Sequence, residues 1–167
     1  AISTRDLRYR DDGTALTGVV VWDDAMTDKR PGILLVHGGA GLDDHARGQA
    51  RRYAATGFVV LACDMYGDGV AGDRDRVMAC LTGLRDHPDR LAQRGLAGLA
   101  ALLQCPEADG RVAALGFCFG GLAALTLARS GADLAAVVSI HGSLATSRHS
   151  EAGVVKARVL VCHGAQD

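Results

Sequence analysis

The chain lacks a charge excess and lacks any long hydrophobic run. Its 167 residues carry 18 Lys and Arg against 19 Asp and Glu, a net charge of −1. A protein that binds nucleic acid usually carries a basic patch, which this balance does not favour. The apolar runs are far shorter than the ~20 residues that a membrane span needs. We therefore expect neither nucleic acid nor a membrane among its partners.

The first ten residues contain no apolar segment of the kind that a signal peptide carries. The cysteines are odd in number and are nowhere spaced C-x-x-C. They are Cys63, Cys80, Cys105, Cys118 and Cys162. Such a set argues against both a disulfide framework and a zinc site, and it fits a reducing compartment. The sequence therefore predicts a cytoplasmic protein without a bound metal.

Short apolar runs alternate with helical patterns along the chain, without internal repeats or a linker. Strands are predicted over residues 4–10, 17–22, 33–36, 58–63, 111–115, 135–140 and 157–162. Helices are predicted from a cap at residue 43 or 44 to about 56, over 74–84, from 88 until a stop at Pro106 and Asp109-Gly110, and over 122–129. This alternation indicates βαβ units and a mainly parallel sheet. We expect one α/β domain over residues 1–167.

Residues that directly follow the predicted strands are the first candidates for a functional site. In open α/β sheets, ligands bind beyond the carboxyl ends of the strands. The residues at these positions are His37-Gly38-Gly39, Asp64, Cys118, His141 and Asp167.

The segment LGFCFGG at residues 115–121 joins a predicted strand to a predicted helix. It has the pattern of a nucleophile elbow, whose apex residue is strained and needs small residues two positions away on either side. Gly116 and Gly120 fill those positions around Cys118. The helix N-terminus there favours a thiolate and later an oxyanion. The sequence predicts Cys118 as a nucleophile; the alternative is an inert core cysteine in a glycine-rich turn.

Two other strand ends supply candidate partners for this cysteine. The HGG turn that begins at His37 can direct one backbone N–H towards an oxyanion, and the N–H of Phe119 supplies a second. Asp167 follows the last predicted strand, where a hydrolase with the chain order nucleophile, acid, histidine carries its acid. Such an acid orients the histidine and stabilises the imidazolium. The alternatives are a flexible loop and a solvated turn residue.

Three segments together resemble the dienelactone hydrolase family, from about Gly18 onwards: GFCFGG, VHGGAGLDDHARGQARRYAATGFVVLACDMYGDG and VLVCHGAQD. The resemblance implies an α/β-hydrolase fold, with a twisted, mainly parallel sheet and helices on both faces. It implies Cys118 as nucleophile, Asp167 as triad acid, and the N–H groups of Gly39 and Phe119 as oxyanion donors. The implied reaction is hydrolysis of a small ester or lactone through an acyl-cysteine, without a cofactor.

The sequence departs from the family pattern in two places. The family's triad histidine lies well beyond the acid, but none of the six histidines follows Asp167. We therefore expect the final strand and helix of the fold to be missing as well. Many family members also carry a glutamate directly after His37, where it influences the resting cysteine. Here the position is Gly38, so that control of the thiol is not expected.

The remaining histidines and two arginines receive lesser roles. His141 is expected to be a pocket wall rather than the base, because the family order puts the base last. Arg74 and Arg76 begin a helix near the place where the family binds a substrate carboxylate, although exposed helix arginines are common. His37 is expected to brace the oxyanion loop. The histidines expected at the surface or in a structural role are His45, His87, His149 and His163.

Two other functions stay open. A glutamine-amidotransferase-type enzyme also uses a G-x-C-x-G elbow, but it needs a His-x-Glu pair downstream. The nearest match is His149-Ser150-Glu151, in a polar stretch. The other alternative is a truncated, catalytically silent relative that acts by binding or as a homodimer, because no histidine follows the acid.

Overall fold

Seven strands and four helices build the fold. The computed structural model describes all of residues 1–167. The strands are β1 (Ile2–Asp11), β2 (Thr14–Asp23), β3 (Arg30–Val36), β4 (Val59–Cys63), β5 (Ala108–Phe117), β6 (Ala136–Ile140) and β7 (Arg158–Cys162). The helices are α1 (Asp44–Ala54), α2 (Arg74–Arg85), α3 (Pro88–Leu103) and α4 (Phe119–Arg129).

The strands form one sheet in the order β1-β2-β4-β3-β5-β6-β7. Strands β3 to β7 run parallel, whereas the β1–β2 hairpin adds two antiparallel strands at one edge. The predicted α/β architecture with a mainly parallel sheet is therefore confirmed. The five parallel strands run in the same direction. The residues directly after them therefore lie together at the carboxyl ends of the strands. These residues are His37, Asp64, Cys118, His141 and His163.

Helices cover both faces of the sheet, as predicted. The apolar side chains of α2, α3 and α4 share a core with alternate residues of the strands, including Leu34 and Leu61. The other face packs on α1, where Ala50 and Ala54 meet Ile33 and Leu35. Because both faces are covered, the central strands are apolar along their whole length rather than at alternate positions.

One predicted turn is part of a strand instead. The pair Asp109-Gly110 was expected to lie before the strand that leads to the elbow, but it lies within β5. Ala108 already pairs with Arg30, and the register then shifts before Gly32 pairs with Val112. Gly110 has a φ of +100°, so the glycine accommodates a bulge within the strand. Its sequence signature is the same as that of a turn.

The far edge of the sheet is formed by β7, which pairs only with β6. Its apolar residues Val159, Leu160 and Val161 are 40–57% exposed.

No helix in the structure combines the length and the apolar character that crossing a membrane would require.

Candidate active site

Cys118 forms the apex of a sharp turn between β5 and α4. Its backbone has a φ of 54° and a ψ of −117°, an unusual conformation for a residue with a side chain. Its carbonyl oxygen accepts hydrogen bonds from the N–H groups of Gly121 (2.9 Å) and Leu122 (3.2 Å), which begin the helix. Its own N–H donates to the carbonyl oxygen of Ile140 at the end of β6 (3.0 Å). The residue is exposed, so the predicted elbow geometry is present.

The glycines on either side of the cysteine are required by close backbone contacts. A Cβ atom on Gly116 would lie 2.0 Å from the carbonyl oxygen of Gly120. A Cβ atom on Gly120 would lie 2.1 Å from the carbonyl oxygen of Val36. No side chain can be accommodated at such distances, so glycine alone permits this approach of strand, turn and helix.

His37 joins two loops beneath the elbow. It is completely enclosed, with 1% of its surface exposed. Its Nδ1–H donates to the carbonyl oxygen of Gly38 (2.7 Å), and its Nε2 accepts a hydrogen bond from the N–H of Met65 (3.0 Å). This pair of contacts defines one neutral tautomer. Burial lowers the pKa of His37 from its usual value. The imidazole therefore braces the loop that begins at residue 37, as the sequence predicted.

The two N–H groups predicted as oxyanion donors have no competing acceptor nearby. The N–H of Gly39 donates to no other group of the protein, while its carbonyl oxygen accepts from the hydroxyl of Tyr66 (2.7 Å). Phe119 is the first residue of α4, so its N–H has no acceptor inside the helix. A Cβ atom on Gly39 would lie 2.9 Å from Cδ1 of Leu81, so a side chain at position 39 would require Leu81 to move.

Asp167 is hydrogen-bonded to the imidazole of His141. The Nδ1–H of His141 donates to Oδ2 of Asp167 (2.7 Å), and the same oxygen accepts from the N–H of Gly164 (3.0 Å). The bond to His141 and then the bond to Gly164 lower the pKa of the Asp167 carboxyl. His141 has a φ of 58°, and its N–H donates to the carbonyl oxygen of Cys162. The imidazole thus has its Nδ1 side held by the carboxylate and its Nε2 without a protein partner.

The contact between His141 and Asp167 was not predicted. His141 follows β6 and Asp167 lies five residues beyond β7, and these two strands are neighbours. Strand adjacency was the missing signal, because the chain order alone does not reveal it. Both residues line an open depression of about 400 Å³. Its other lining residues are Gly142, Ser143, Leu144 and His163.

Tyr66, in the loop after β4, was not among the predicted site residues. Its ring centroid lies 4.8 Å from that of His37 and 5.7 Å from that of Phe119. Its hydroxyl holds the carbonyl oxygen of Gly39. The loop after β4 therefore contacts both segments that carry the predicted oxyanion donors.

The two candidate arginines lie on the exposed start of α2. Arg74 is the first residue of the helix, and Arg76 donates from Nη1 to the carbonyl oxygen of Gly69 (3.1 Å). Their role towards a substrate carboxylate stays a prediction.

The His-x-Glu pair lies away from Cys118. His149 and Glu151 line a separate cavity of about 310 Å³, between the start of α3 and the end of α4, and Cys118 is not part of its wall. The structure therefore does not bring this pair to the nucleophile. No three His, Cys, Asp or Glu side chains cluster in a way that would hold a metal ion.

Comparisons with known proteins place the chain in a family. The family model described as "Dienelactone hydrolase family" matches residues 16–167. A solved structure named m3DLH is 42% identical, with a TM-score of 0.93 over 100% of this chain and 70% of that chain. P91 from metagenomic libraries, described as a dienelactone hydrolase-like promiscuous phosphotriesterase, is 42% identical with a TM-score of 0.94 and the same coverage.

A structure from Klebsiella pneumoniae subsp. pneumoniae MGH 78578 is 22% identical, with a TM-score of 0.79 over 100% of this chain and 74% of that chain. At that identity it shows the fold alone. No curated protein matches the chain significantly. The family model covers nearly the whole sequence. The chain therefore belongs to the dienelactone hydrolase family and has the α/β fold of its members.

Proposed function

We propose that this hydrolase cleaves carboxylic esters or lactones through an acyl-cysteine at Cys118. The thiol gives up its proton, its sulfur attacks the acyl carbon, and the carbon–oxygen bond to the alcohol breaks. The alcohol leaves with a proton, as a free alcohol or as the opened end of a lactone. Water then attacks the thioester carbon, the carbon–sulfur bond breaks, and the carboxylic acid and the thiol are released. The observation that carries the proposal is the exposed cysteine, strained at a φ of 54° at the start of a helix.

The charge that develops on the carbonyl oxygen is assigned to two backbone donors. Neither the N–H of Gly39 nor that of Phe119 donates to another group of the protein, so both are free to bind an oxyanion. Removing one such donor from an oxyanion site typically costs 10²–10³-fold in rate. The helix dipole at the start of α4 adds to the same stabilisation.

We assign the triad acid to Asp167. Its carboxyl has a lowered pKa and already accepts a hydrogen bond from an imidazole, that of His141. A carboxylate in this state orients a histidine and stabilises the imidazolium during proton transfer. In the family the base follows the acid in the chain, so His141 keeps its role as a wall of the pocket in this proposal.

Acylation by p-nitrophenyl acetate tests the proposal. We expect release of p-nitrophenolate and an acetyl group on the Cys118 peptide, which mass spectrometry detects. Subsequent turnover is followed at 30 °C or below, which limits background hydrolysis of the ester. Cys118→Ala should abolish both signals, whereas Cys162→Ala, which removes another exposed cysteine, should leave them intact. Turnover that survives in Cys118→Ala would refute the assignment. The intact mass of the same sample, compared with the 17.3 kDa of the printed sequence, identifies the polypeptide that is assayed.

A second substrate class follows from one relative. P91, at 42% identity, is described as a promiscuous phosphotriesterase, so we propose that the same thiol also attacks aryl phosphotriesters. Paraoxon hydrolysis that is lost together with esterase activity in Cys118→Ala would support a shared site.

Glutamine should not be hydrolysed, because His149 and Glu151 line a different cavity. The cytoplasmic location remains a prediction from the cysteine pattern.

A further inference from the structure

A buried arginine lies behind the loop that supports the oxyanion segment. Arg94 on α3 is 7% exposed. Its Nε donates to Oδ2 of Asp11 (2.7 Å), and its Nη1 donates to the carbonyl oxygen of Met65 (2.6 Å). Asp11 is the last residue of β1, and its side chain is only 11% exposed. Removing two charged groups from water costs free energy, which is offset only where hydrogen bonds satisfy both partners.

The segment held by Arg94 contacts the oxyanion loop at two points. The N–H of Met65 donates to Nε2 of His37, whose Nδ1–H holds the carbonyl oxygen of Gly38. The hydroxyl of the next residue, Tyr66, holds the carbonyl oxygen of Gly39. The carbonyl groups of residues 38 and 39, which precede and follow the Gly39 N–H in the chain, are therefore both fixed. The first is held by His37, which the N–H of Met65 orients, and the second is held by the hydroxyl of Tyr66.

We infer that Arg94, oriented by Asp11, is a positioning residue for the oxyanion donor at Gly39, an inference that rests on the proposed acyl-cysteine chemistry. Arg94 fixes the peptide between Met65 and Tyr66. That peptide sets the positions of the Met65 N–H and the Tyr66 ring, which fix the orientation of the Gly39 N–H. Arg94 itself contacts no reacting atom.

An arginine suits this position better than other cations. Its planar fork presents separate N–H groups in fixed directions, so one side can hold a carboxylate while another holds a carbonyl oxygen. A lysine offers a single charged point and cannot span both acceptors in the same way. Replacement by an apolar residue leaves the carbonyl of Met65 without its side-chain donor, and it leaves Asp11 with the amide of Gln93 as its one remaining side-chain donor.

Two reactions of the same thiol separate positioning from a merely structural role. Acylation of Cys118 by p-nitrophenyl acetate places negative charge on a carbonyl oxygen, which the Gly39 N–H stabilises. Alkylation by iodoacetamide forms a carbon–sulfur bond and expels iodide, and no oxyanion forms. The ratio of the two rates therefore reports on the oxyanion donors, independently of the exposure and ionisation of the thiol. Peptide mass spectrometry reads Cys118 separately from the other cysteines.

Arg94→Met should lower the acylation rate about tenfold or more while the alkylation rate stays within about twofold, since a displaced oxyanion donor loses much of its 10²–10³-fold effect. Arg94→Lys should fall between Arg94→Met and the unmodified protein. The matched control is Arg90→Met, which removes an exposed arginine one turn earlier on α3 and should change neither rate.

The outcomes distinguish this inference from the proposed function. If the unmodified protein is alkylated at Cys118 but never acylated, the proposed function fails, and the inference fails with it. If the unmodified protein is acylated and Arg94→Met leaves the ratio of rates unchanged, or lowers both rates equally, only the inference is overturned. Asp11→Asn, which retains the volume, serves if Arg94→Met does not fold. It should lower the ratio about threefold, and an unchanged ratio overturns the inference equally.

Discussion

Gly120 packs against the end of β3 so closely that a Cβ atom on it would lie 2.1 Å from the carbonyl oxygen of Val36. Val36 is the residue before His37, where the loop with the proposed oxyanion donor Gly39 begins. The elbow and that loop therefore meet through backbone atoms, in addition to the stacking of the His37 and Phe119 rings. Backbone contacts hold the relative positions of Cys118 and Gly39 more rigidly than mobile side chains would.

Gly120→Ala should destabilise the fold severely. The added methyl group meets backbone atoms of Val36 and His37, which cannot move aside as a flexible side chain would. We expect the free energy of unfolding to fall by about 3 kcal/mol or more, measured by urea denaturation. The control is Gly48→Ala on the exposed side of α1, where a Cβ atom meets nothing within 4 Å. It should stabilise the protein by up to about 1 kcal/mol. Equal effects at both positions would contradict the packing argument.

Most of the elements that build the site were predictable from the sequence. The central strands are short apolar runs that end at turn-forming residues, and helix α1 begins after Asp43, whose carboxylate caps the N–H of Ala46. The elbow was predictable because G-x-C-x-G states its own steric requirement. What these signals share is locality, since each is contained within a few residues of the chain.

The contacts that organise the site could not be predicted in the same way. Arg94 looks like any charged residue of a helix, and its partner Asp11 is 83 positions away. His141 and Asp167 meet because β6 and β7 are adjacent, which single-sequence patterns do not encode. The bulge at Gly110 has the signature of a turn. The first contact depends on the packing of α3 against β1, and the other two depend on the order and register of the strands.

The protein should lose stability as the pH falls below about 6.5, in part because of His37. Burial lowers the pKa of this imidazole in the folded state, whereas the unfolded chain binds a proton near its usual value of about 6.5. Between the two pKa values only the unfolded state is protonated, so the free energy of unfolding decreases with falling pH. One such proton contributes about 1.4 kcal/mol per pH unit.

His37→Gln removes this titration and should reduce the slope of stability against pH by about one proton between pH 6.5 and the lowered pKa. Urea denaturation at several pH values gives the slope directly. His149→Gln, at an exposed histidine, is the control and should leave it unchanged. A slope that His37→Gln does not alter would mean that the buried imidazole takes up its proton without unfolding.

The lowered pKa of the Asp167 carboxyl should depend chiefly on His141, whose hydrogen bond is the largest cause of the shift. We choose His141→Gly, because the residue has a φ of 58° and glycine adopts this conformation without strain. The pKa of Asp167 should rise towards its ordinary value, but not reach it, since the N–H of Gly164 still donates to the carboxylate. A ¹³C NMR titration of the carboxyl carbon measures the change. His163→Ala should shift it less, because the charge of His163 has a weaker effect on that pKa than the hydrogen bond of His141 has.

Tyr66→Phe tests the direct contact between the loop after β4 and the oxyanion loop. The change removes one hydroxyl, whose hydrogen bond to the carbonyl oxygen of Gly39 measures 2.7 Å, and it keeps the ring that packs on His37 and Phe119. Loss of a neutral hydrogen bond of about 0.5–1.5 kcal/mol corresponds to a fall of about 2–10-fold in the acylation rate of Cys118 by p-nitrophenyl acetate. Its alkylation by iodoacetamide should stay unchanged. Tyr53→Phe, on α1, is the matched control and should alter neither rate. If Tyr66→Phe slows both reactions equally, the hydroxyl acts on the exposure of the thiol and not on the oxyanion donor.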